Sequence, residues 1–110
     1  MFLEYGKSGL LGRNKINVKP ITNARPVSIG RGKDQDIVLE DPKCAESHAS
    51  IRYWENCFVL LNKDSVNGTL LNGGRVEVAR VSPGDIIQIG DTQIRSLPDL
   101  SRASSDATVR

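Results

Sequence analysis

The chain has 110 residues, of which 38% are hydrophobic and 25% are charged, and its formal net charge is +2. This length fits one domain with a real core and is too short for two. The small net charge argues against nucleic-acid binding through a strong basic patch. The longest apolar runs, such as residues 58–61, are too short to cross a bilayer. Residues 1–13 carry no secretory signal, so we expect an intracellular protein that does not enter the membrane.

The reactive residue types are few and scattered. Cys44 and Cys57 are too few for a disulfide scaffold, and neither belongs to a Cys/His cluster that could bind zinc. His48 is the only histidine and has no Asp or Cys placed for a catalytic triad. The segment Gly30–Lys33 lacks the spacing of a nucleotide phosphate loop. We therefore predict reduced thiols, no metal, no cofactor, no catalytic residue and no enzymatic activity.

Short runs of alternating apolar and polar residues follow one another along the chain and predict strands. In chain order they are residues 15–21, 27–29, 37–39, 49–54, 57–61, 76–79, 86–89 and 92–97, with residues 1–5 as a further candidate. Glu55-Asn56 predicts a hairpin turn, and no window of a dozen residues carries a helical stripe free of Gly and Pro. About ten short strands joined by Gly, Asn and Pro turns favour an all-β sandwich or barrel.

From residue 98 onward the sequence consists mainly of small and polar residues, which do not predict a further strand. We predict an ordered domain over residues 1–97 and a flexible tail or the start of a linker over residues 98–110.

Tyr53 and Trp54 are adjacent in a predicted strand and must point to opposite faces. One is expected in the core and the other on the surface, where it could anchor a partner.

The turn signals between the strands have a distinctive order. Five motifs carry it, at residues 29–31, 36–39, 48–51, 67–73 and 84–90. Their order and spacing, over about residues 26–97, resemble the forkhead-associated (FHA) domain family. The resemblance implies a single domain with an eleven-stranded β-sandwich that binds phosphothreonine peptides with loops at one end. Residues 1–25 match less clearly, with a longer loop around Gly6–Asn14.

The resemblance also implies roles for individual residues. A phosphate group brings nearly two negative charges and three acceptor oxygens, and a guanidinium with a few hydroxyl or N–H donors can hold it. By resemblance, Arg31 is that guanidinium, His48 braces the loops and Asn67 holds the peptide backbone. The other implied positions are structural or contact the peptide downstream of the phosphothreonine: Gly30, Gly68 and Thr69 in the first group, and Lys43 in the second.

Two positions depart from the family pattern. Ala45 stands where the family has a serine three residues before the histidine, and Val66 replaces a threonine or serine before Asn67. Hydrogen bonds to charged groups contribute about 1.5–3 kcal/mol each. Losing two costs about 3–6 kcal/mol, or two to four decades of affinity. Ser47, Ser65 and Lys43 are possible replacements for the missing donors.

Three functions follow as hypotheses. The favoured one is an assembly module with a degenerate phosphothreonine pocket, which pairs with itself as a homodimer or with another protein. By analogy with nuclear DNA-damage mediator proteins that dimerise through an N-terminal FHA domain, including the insect mutator type, a nuclear role in DNA damage or chromosome maintenance is expected. The interface candidates are residues 1–5, Tyr53 and Trp54.

The alternative is a functional phosphothreonine reader that uses Arg31, Asn67 and the nearby Ser47 or Ser65. A weaker third hypothesis is contact with an anion or a nucleic acid, for which steep salt dependence would be the signature. It would use five basic residues: Arg13, Lys15, Lys19, Arg25 and Lys33.

Overall fold

The computed structural model describes residues 1–6, 16–63 and 66–98. Those residues form eleven β-strands: β1 (Phe2–Gly6), β2 (Ile16–Pro20), β3 (Val27–Gly30), β4 (Ile37–Val38), β5 (Ala49–Trp54), β6 (Cys57–Asn62), β7 (Thr69–Leu71), β8 (Gly74–Val76), β9 (Val78–Val81), β10 (Ile86–Ile89) and β11 (Thr92–Leu97). The all-β class and the strand number expected from the sequence are confirmed. The long loop expected around Gly6–Asn14 lies almost wholly outside the described residues.

The strands form two sheets packed as a sandwich. The six-stranded sheet has the order β2-β1-β11-β10-β7-β8, and the five-stranded sheet has the order β4-β3-β5-β6-β9. Every strand pair is antiparallel except β3 and β4, which are parallel. The edges of the five-stranded sheet are therefore β4 and β9.

The core lies between the sheets and is built from the inward half of each alternating strand. Ile29, Ile51 and Leu60 contribute from the five-stranded sheet, and Ile87 and Ile94 from the six-stranded sheet; all five are at most 1% exposed. β-Branched residues dominate this layer because their stiff side chains fit a pleated surface.

One strand prediction was wrong. The run 76–79 was expected to be one strand, but the chain changes sheets at Glu77. Val76 ends β8, which pairs with β7, whereas Val78 begins β9, which pairs with β6. The Asn62 N–H donates to the Glu77 carbonyl at 2.8 Å and ties the crossing to the end of β6. The alternation of residues within the run carries no information about which sheet each half joins.

The β5–β6 hairpin turns at the predicted Glu55-Asn56 pair, where both residues have positive φ, 48° and 68°. Tyr53 and Trp54 lie on opposite faces of β5, as expected. The expectation that one of them is a core residue was wrong, because Tyr53 is 37% and Trp54 is 54% exposed. Tyr53 packs edge-on against Phe58, with ring centroids 5.0 Å apart, and this contact covers the ring only in part.

Candidate phosphopeptide-binding loops

Three loops meet at one end of the sandwich, after β3, before β5 and before β7. The Arg31 N–H donates to the Ala45 carbonyl at 2.9 Å, and the Gly32 N–H donates to the Glu46 carbonyl at 3.1 Å. The Asn67 side-chain amide donates to the Lys43 carbonyl at 2.9 Å. The structure thus brings together three segments that are far apart in the sequence, as the resemblance implied.

Gly30 allows two of these loops to approach closely. A Cβ at this position would overlap the carbonyl oxygen of Glu46 and would lie 3.1 Å from that of Ala45. The Arg31 Nε donates to the Cys44 carbonyl at 3.0 Å, which fixes one edge of the guanidinium. The Arg31 side chain is exposed, and no carboxylate in the described ranges forms an ion pair with it. Its terminal N–H groups are therefore available to an external anion.

His48 lies beneath the loops and is completely buried. Its Nδ1 accepts a hydrogen bond from the Ala45 N–H at 3.0 Å, and its Nε2 lies 2.8 Å from the Gly68 carbonyl oxygen. Because Nδ1 is an acceptor, we assign the proton of the neutral ring to Nε2, which donates to Gly68. The ring therefore connects the loop before β5 to the loop before β7.

The loop before β7 is held from both sides. Gly68 has a φ of +76°, a conformation that L side chains rarely adopt. The completely buried Thr69 hydroxyl donates to the Asn62 Oδ1 at 2.8 Å and so joins the start of β7 to the end of β6. The amide of Asn67 points toward Lys43 and is exposed. These contacts give Gly68 and Thr69 a structural position and leave Asn67 at the surface.

Hydroxyl groups are scarce on the described residues of the three loops. Ala45 has no hydroxyl to offer, and Val66 is 80% exposed with an apolar side chain. Ser47 is exposed on the loop before β5, whereas Ser65 lies outside the described residues. Glu46, which sequence reasoning did not single out, adds an exposed carboxylate to the loop that contacts Gly32. A negative charge next to an anion site weakens binding.

Asp41 organises the base of the loop before β5, and sequence reasoning missed it. Its carboxylate is 3% exposed and accepts hydrogen bonds from the Lys43 N–H, the Asp91 N–H and the Thr92 hydroxyl at 2.8–2.9 Å. Burial acts to raise the pKa of Asp41, but these hydrogen bonds outweigh burial and hold the pKa below its usual value. The Lys43 ammonium lies 3.3 Å from the Asp91 carboxylate, and both side chains are largely exposed.

Arg75 is a second residue that sequence reasoning missed. A Cβ on Gly68 would lie 2.8 Å from the Arg75 Cζ, so the guanidinium covers the Gly68 backbone. The turn at Asn72-Gly73 folds β8 back along β7 and pairs Arg75 with Leu70. The sequence did contain a signal for this contact. The Asn72-Gly73 pair predicts a hairpin turn, and the strand after such a turn runs back along the strand before it, toward the loop that contains Gly68.

Other classes of site are not supported by the described residues. No group of three His, Cys, Asp or Glu side chains that could hold a metal ion occurs among them. Cys44 and Cys57 are not joined by a disulfide, and their thiols donate to the carbonyls of Ala45 and Trp54 at 3.4 and 3.2 Å. No described segment is a helix of the length and apolarity needed to span a membrane.

Curated relatives support the resemblance. The FHA domain family model matches residues 27–90. The glycogen accumulation regulator GarA of Mycobacterium tuberculosis is 33% identical over 81 residues, which cover 74% of this chain and 50% of GarA. The FHA domain-containing protein FhaA of the same organism is 33% identical over 66 residues, which cover 60% of this chain and 12% of FhaA. The chain thus spans half or less of the length of these relatives.

Solved structures agree with the family match. The FhaA FHA domain, in complex with the intracellular domain of Rv3910, has a TM-score of 0.70 and 26% identity and covers 86% of this chain and 98% of its own. A domain from a study of phosphothreonine-dependent FHA interactions has a TM-score of 0.67 and 25% identity, with 90% and 100% coverage. FHA domains are interaction modules that generally bind phosphothreonine. The chain belongs to the FHA domain family.

Proposed function

We propose that this FHA domain is an assembly module that has kept the framework of the phosphothreonine loops and has lost most of their affinity for the anion. The observation that carries the proposal is the pair of loop positions Ala45, whose carbonyl accepts from the Arg31 N–H, and Val66, which is 80% exposed; by resemblance, the family has hydroxyl donors at both. The exposed Glu46 carboxylate on the same loop opposes the anion further. The residues that hold the loops together are present, by contrast: His48 and Thr69 are buried and hydrogen-bonded, and the Asn67 amide donates to the Lys43 carbonyl.

A gain-of-function variant tests this proposal directly. Ala45→Ser combined with Val66→Thr restores both hydroxyls, and we expect it to raise the affinity for a phosphothreonine peptide library by at least about 100-fold, since two charge-assisted hydrogen bonds contribute about 3–6 kcal/mol. Fluorescence polarisation measures the change. The matched control, Val18→Thr on β2 with Ala24→Ser in the segment that follows it, makes the same kinds of change at exposed positions away from the loops and should leave binding unchanged.

Arg31→Ala distinguishes the assembly module from the phosphothreonine reader. In the restored variant, Arg31→Ala should abolish the gained affinity because it removes the available guanidinium. A different result would establish the phosphothreonine reader and contradict a degenerate pocket. In that case the natural chain binds the peptide tightly, Arg31→Ala removes the binding, and the restored hydroxyls do not improve it. The exposed guanidinium of Arg31 and the exposed Ser47 are the observations that favour this second candidate.

The assembly role predicts a complex that forms without phosphate. Light scattering at several protein concentrations, with and without a phosphothreonine peptide, distinguishes a homodimer from a monomer that needs another protein. Arg31→Ala should leave any such complex intact because the loops do not form it. A strictly monomeric chain that associates only with phosphopeptides would contradict the proposal.

Two further expectations from the sequence concern a nuclear DNA-damage role and contact with a nucleic acid. None of the relatives named above is a DNA-damage mediator, and the nuclear role rests on analogy alone. For nucleic-acid contact, the Arg25 guanidinium already pairs with the Asp36 carboxylate at 2.7 Å, which lowers the free positive charge of that group of residues. The absence of catalysis stays a prediction. The domain boundary after residue 97 also stays a prediction, because residues 99–110 lie outside the described residues.

A further inference from the structure

The outer face of the five-stranded sheet carries an apolar strip that the phosphopeptide loops do not use. It lies on β5, β6, β9 and the β5–β6 turn, and we call it the β5–β6–β9 face: the apolar Trp54, Cys57, Val59, Leu61 and Val78, bordered by the charged Arg52, Arg80 and Glu55. The register places Arg52 and Arg80 on either side of Val59, and it pairs Leu61 with Val78 and Trp54 with Cys57. These side chains line one shallow groove across three strands.

This face carries large apolar side chains that are exposed. Val78 is 65% exposed and Trp54 is 54% exposed, although both lie in regular strands. β9 is also the edge strand of its sheet, so nothing in the described part of the chain covers it from the side. A contiguous apolar strip of this kind, bordered by polar groups, is typical of a protein-interaction surface.

The charges on the face indicate the chemistry of the partner. The Arg52 guanidinium lies 5.2 Å from the centre of the Trp54 ring, and the Trp54 Nε1 donates to the Glu55 carboxylate at 3.0 Å. Neither Arg52 nor Arg80 forms an ion pair with any described carboxylate. Glu55 is the one carboxylate among the described residues that line the groove, and it accepts its hydrogen bond from the Trp54 indole and not from an arginine. The two guanidiniums that border the apolar strip can therefore each bind a carboxylate from outside.

We infer that the β5–β6–β9 face binds an acidic protein segment that carries aliphatic or aromatic side chains beside its carboxylates. The apolar side chains cover Val59, Leu61 and Val78, while the carboxylates pair with the guanidiniums of Arg52 and Arg80. The inference deepens the proposed assembly role and rests on it, since it names the surface and the kind of partner.

Two other occupants fit the face less well. A second copy stacked face to face would bring four guanidiniums, from Arg52 and Arg80 of both copies, against only two Glu55 carboxylates, so like charge would exceed opposite charge. A nucleic acid would stack its bases on several aromatic rings, but Trp54 is the one aromatic side chain among the described residues that line this face, and the Arg52 guanidinium lies over one side of it. The remaining apolar side chains are aliphatic and give no stacking platform.

The Leu61 end of the face approaches the phosphopeptide loops, because Leu61 pairs with Ser50, two residues after His48, whereas the Trp54 end lies away from them. β5 begins at Ala49, next to His48, and ends at Trp54, which places Trp54 about 17 Å along the strand at about 3.4 Å per residue. A substitution at Trp54 can therefore be tested independently of the loops. An Arg31→Ala background removes any contribution of the loops to binding.

The experiment selects peptides from a random displayed library with the Arg31→Ala chain and compares four further variants in that background. We expect enrichment of sequences that place Asp or Glu beside Leu, Ile, Phe or Trp. Their affinity should fall at least about 10-fold with Trp54→Ser and with Arg52→Gln/Arg80→Gln, and it should weaken in high salt. Ile86→Ser and Arg95→Gln, which change an exposed apolar residue and an exposed arginine of the other sheet, should have no effect.

Each other outcome overturns the inference. No enrichment, enrichment of basic peptides, or equal loss with the control variants would show that this face does not select acidic segments. Tighter binding of a single-stranded oligonucleotide, or a dimer by light scattering that Trp54→Ser converts to monomer, would assign the face to another occupant. None of these results changes the outcome of the Ala45→Ser/Val66→Thr experiment, so the two proposals fail separately.

Discussion

His48 accepts a hydrogen bond from the Ala45 N–H at one ring nitrogen and donates to the Gly68 carbonyl at the other. Its backbone is also engaged, because its N–H donates to the Ile29 carbonyl and its carbonyl accepts from the Lys63 N–H. One buried ring therefore satisfies polar groups of two loops that share no direct sequence connection. The structural role that the resemblance implied for this histidine fits these contacts.

Replacement of His48 by alanine should destabilise the fold. The change leaves the Ala45 N–H and the Gly68 carbonyl without their buried partner, and each unsatisfied group costs about 1–3 kcal/mol. We expect the free energy of unfolding, measured with urea, to fall by roughly 2–5 kcal/mol. Ser47→Ala, at the exposed neighbouring position, is the control and should change it by less than about 0.5 kcal/mol. Equal stability of the two variants would show that the ring does not brace the loops.

Site residues that the sequence predicts lie within local motifs, whereas those it does not predict act through distant partners. Arg31, Asn67, Ala45 and Val66 could be placed on the loops because each lies within a motif whose spacing is local. Asp41 could not, because its carboxylate acts through Asp91 and Thr92, about fifty residues away. The sequence pattern shows an Asp-Pro turn there and nothing about its distant donors.

The β5–β6 hairpin is the element whose local sequence agrees least with its conformation. Both turn residues have positive φ, and one of them is Glu55, a residue type that seldom adopts this region. The carboxylate of Glu55 instead accepts a hydrogen bond from the Trp54 indole at the exposed end of the hairpin. The hairpin therefore contains some backbone strain beside the β5–β6–β9 face.

A better turn sequence should stabilise this hairpin. Glu55→Asn with Asn56→Gly introduces the Asn-Gly pair preferred where both central residues have positive φ. We expect the free energy of unfolding to rise by about 1 kcal/mol, because a left-handed conformation costs ordinary L residues about 1–2 kcal/mol. Thermal unfolding followed by circular dichroism measures the shift. A lower melting temperature would show that the Glu55–Trp54 hydrogen bond outweighs the strain.

Two buried or partly buried carboxylates hold the molecule together at different ranges, Asp36 within one segment and Asp41 between distant ones. Asp36 accepts hydrogen bonds from the Ser28 N–H at 2.9 Å and from the Arg25 guanidinium at 2.7 Å. The hydrogen bond from the Ser28 backbone is the largest cause that lowers the pKa of Asp36, although burial opposes it. Asp41 joins the loop before β5 to the β10–β11 turn, and its pKa is also lowered.

These two carboxylates predict how stability depends on pH. Because each folded-state pKa lies below the unfolded value of about 3.9, their contribution is fully present above that value and is lost as the pH falls through the folded pKa. We expect the free energy of unfolding to decrease below about pH 4. Asp41→Asn should make that decrease less steep, whereas Asp34→Asn on an exposed loop should not. An unchanged slope in Asp41→Asn would contradict the assignment.

The sequence by itself determined the all-β class, most strand positions, the FHA resemblance and the missing hydroxyls at Ala45 and Val66, since these depend on local alternation, turn residues and motif spacing. Only the tertiary structure decided that the chain changes sheets at Glu77, that Arg75 covers Gly68, and that Trp54 shares a face with Arg80. These features arise from contacts between strands, whose pairing partners are set by packing of the whole sandwich and not by neighbouring residues.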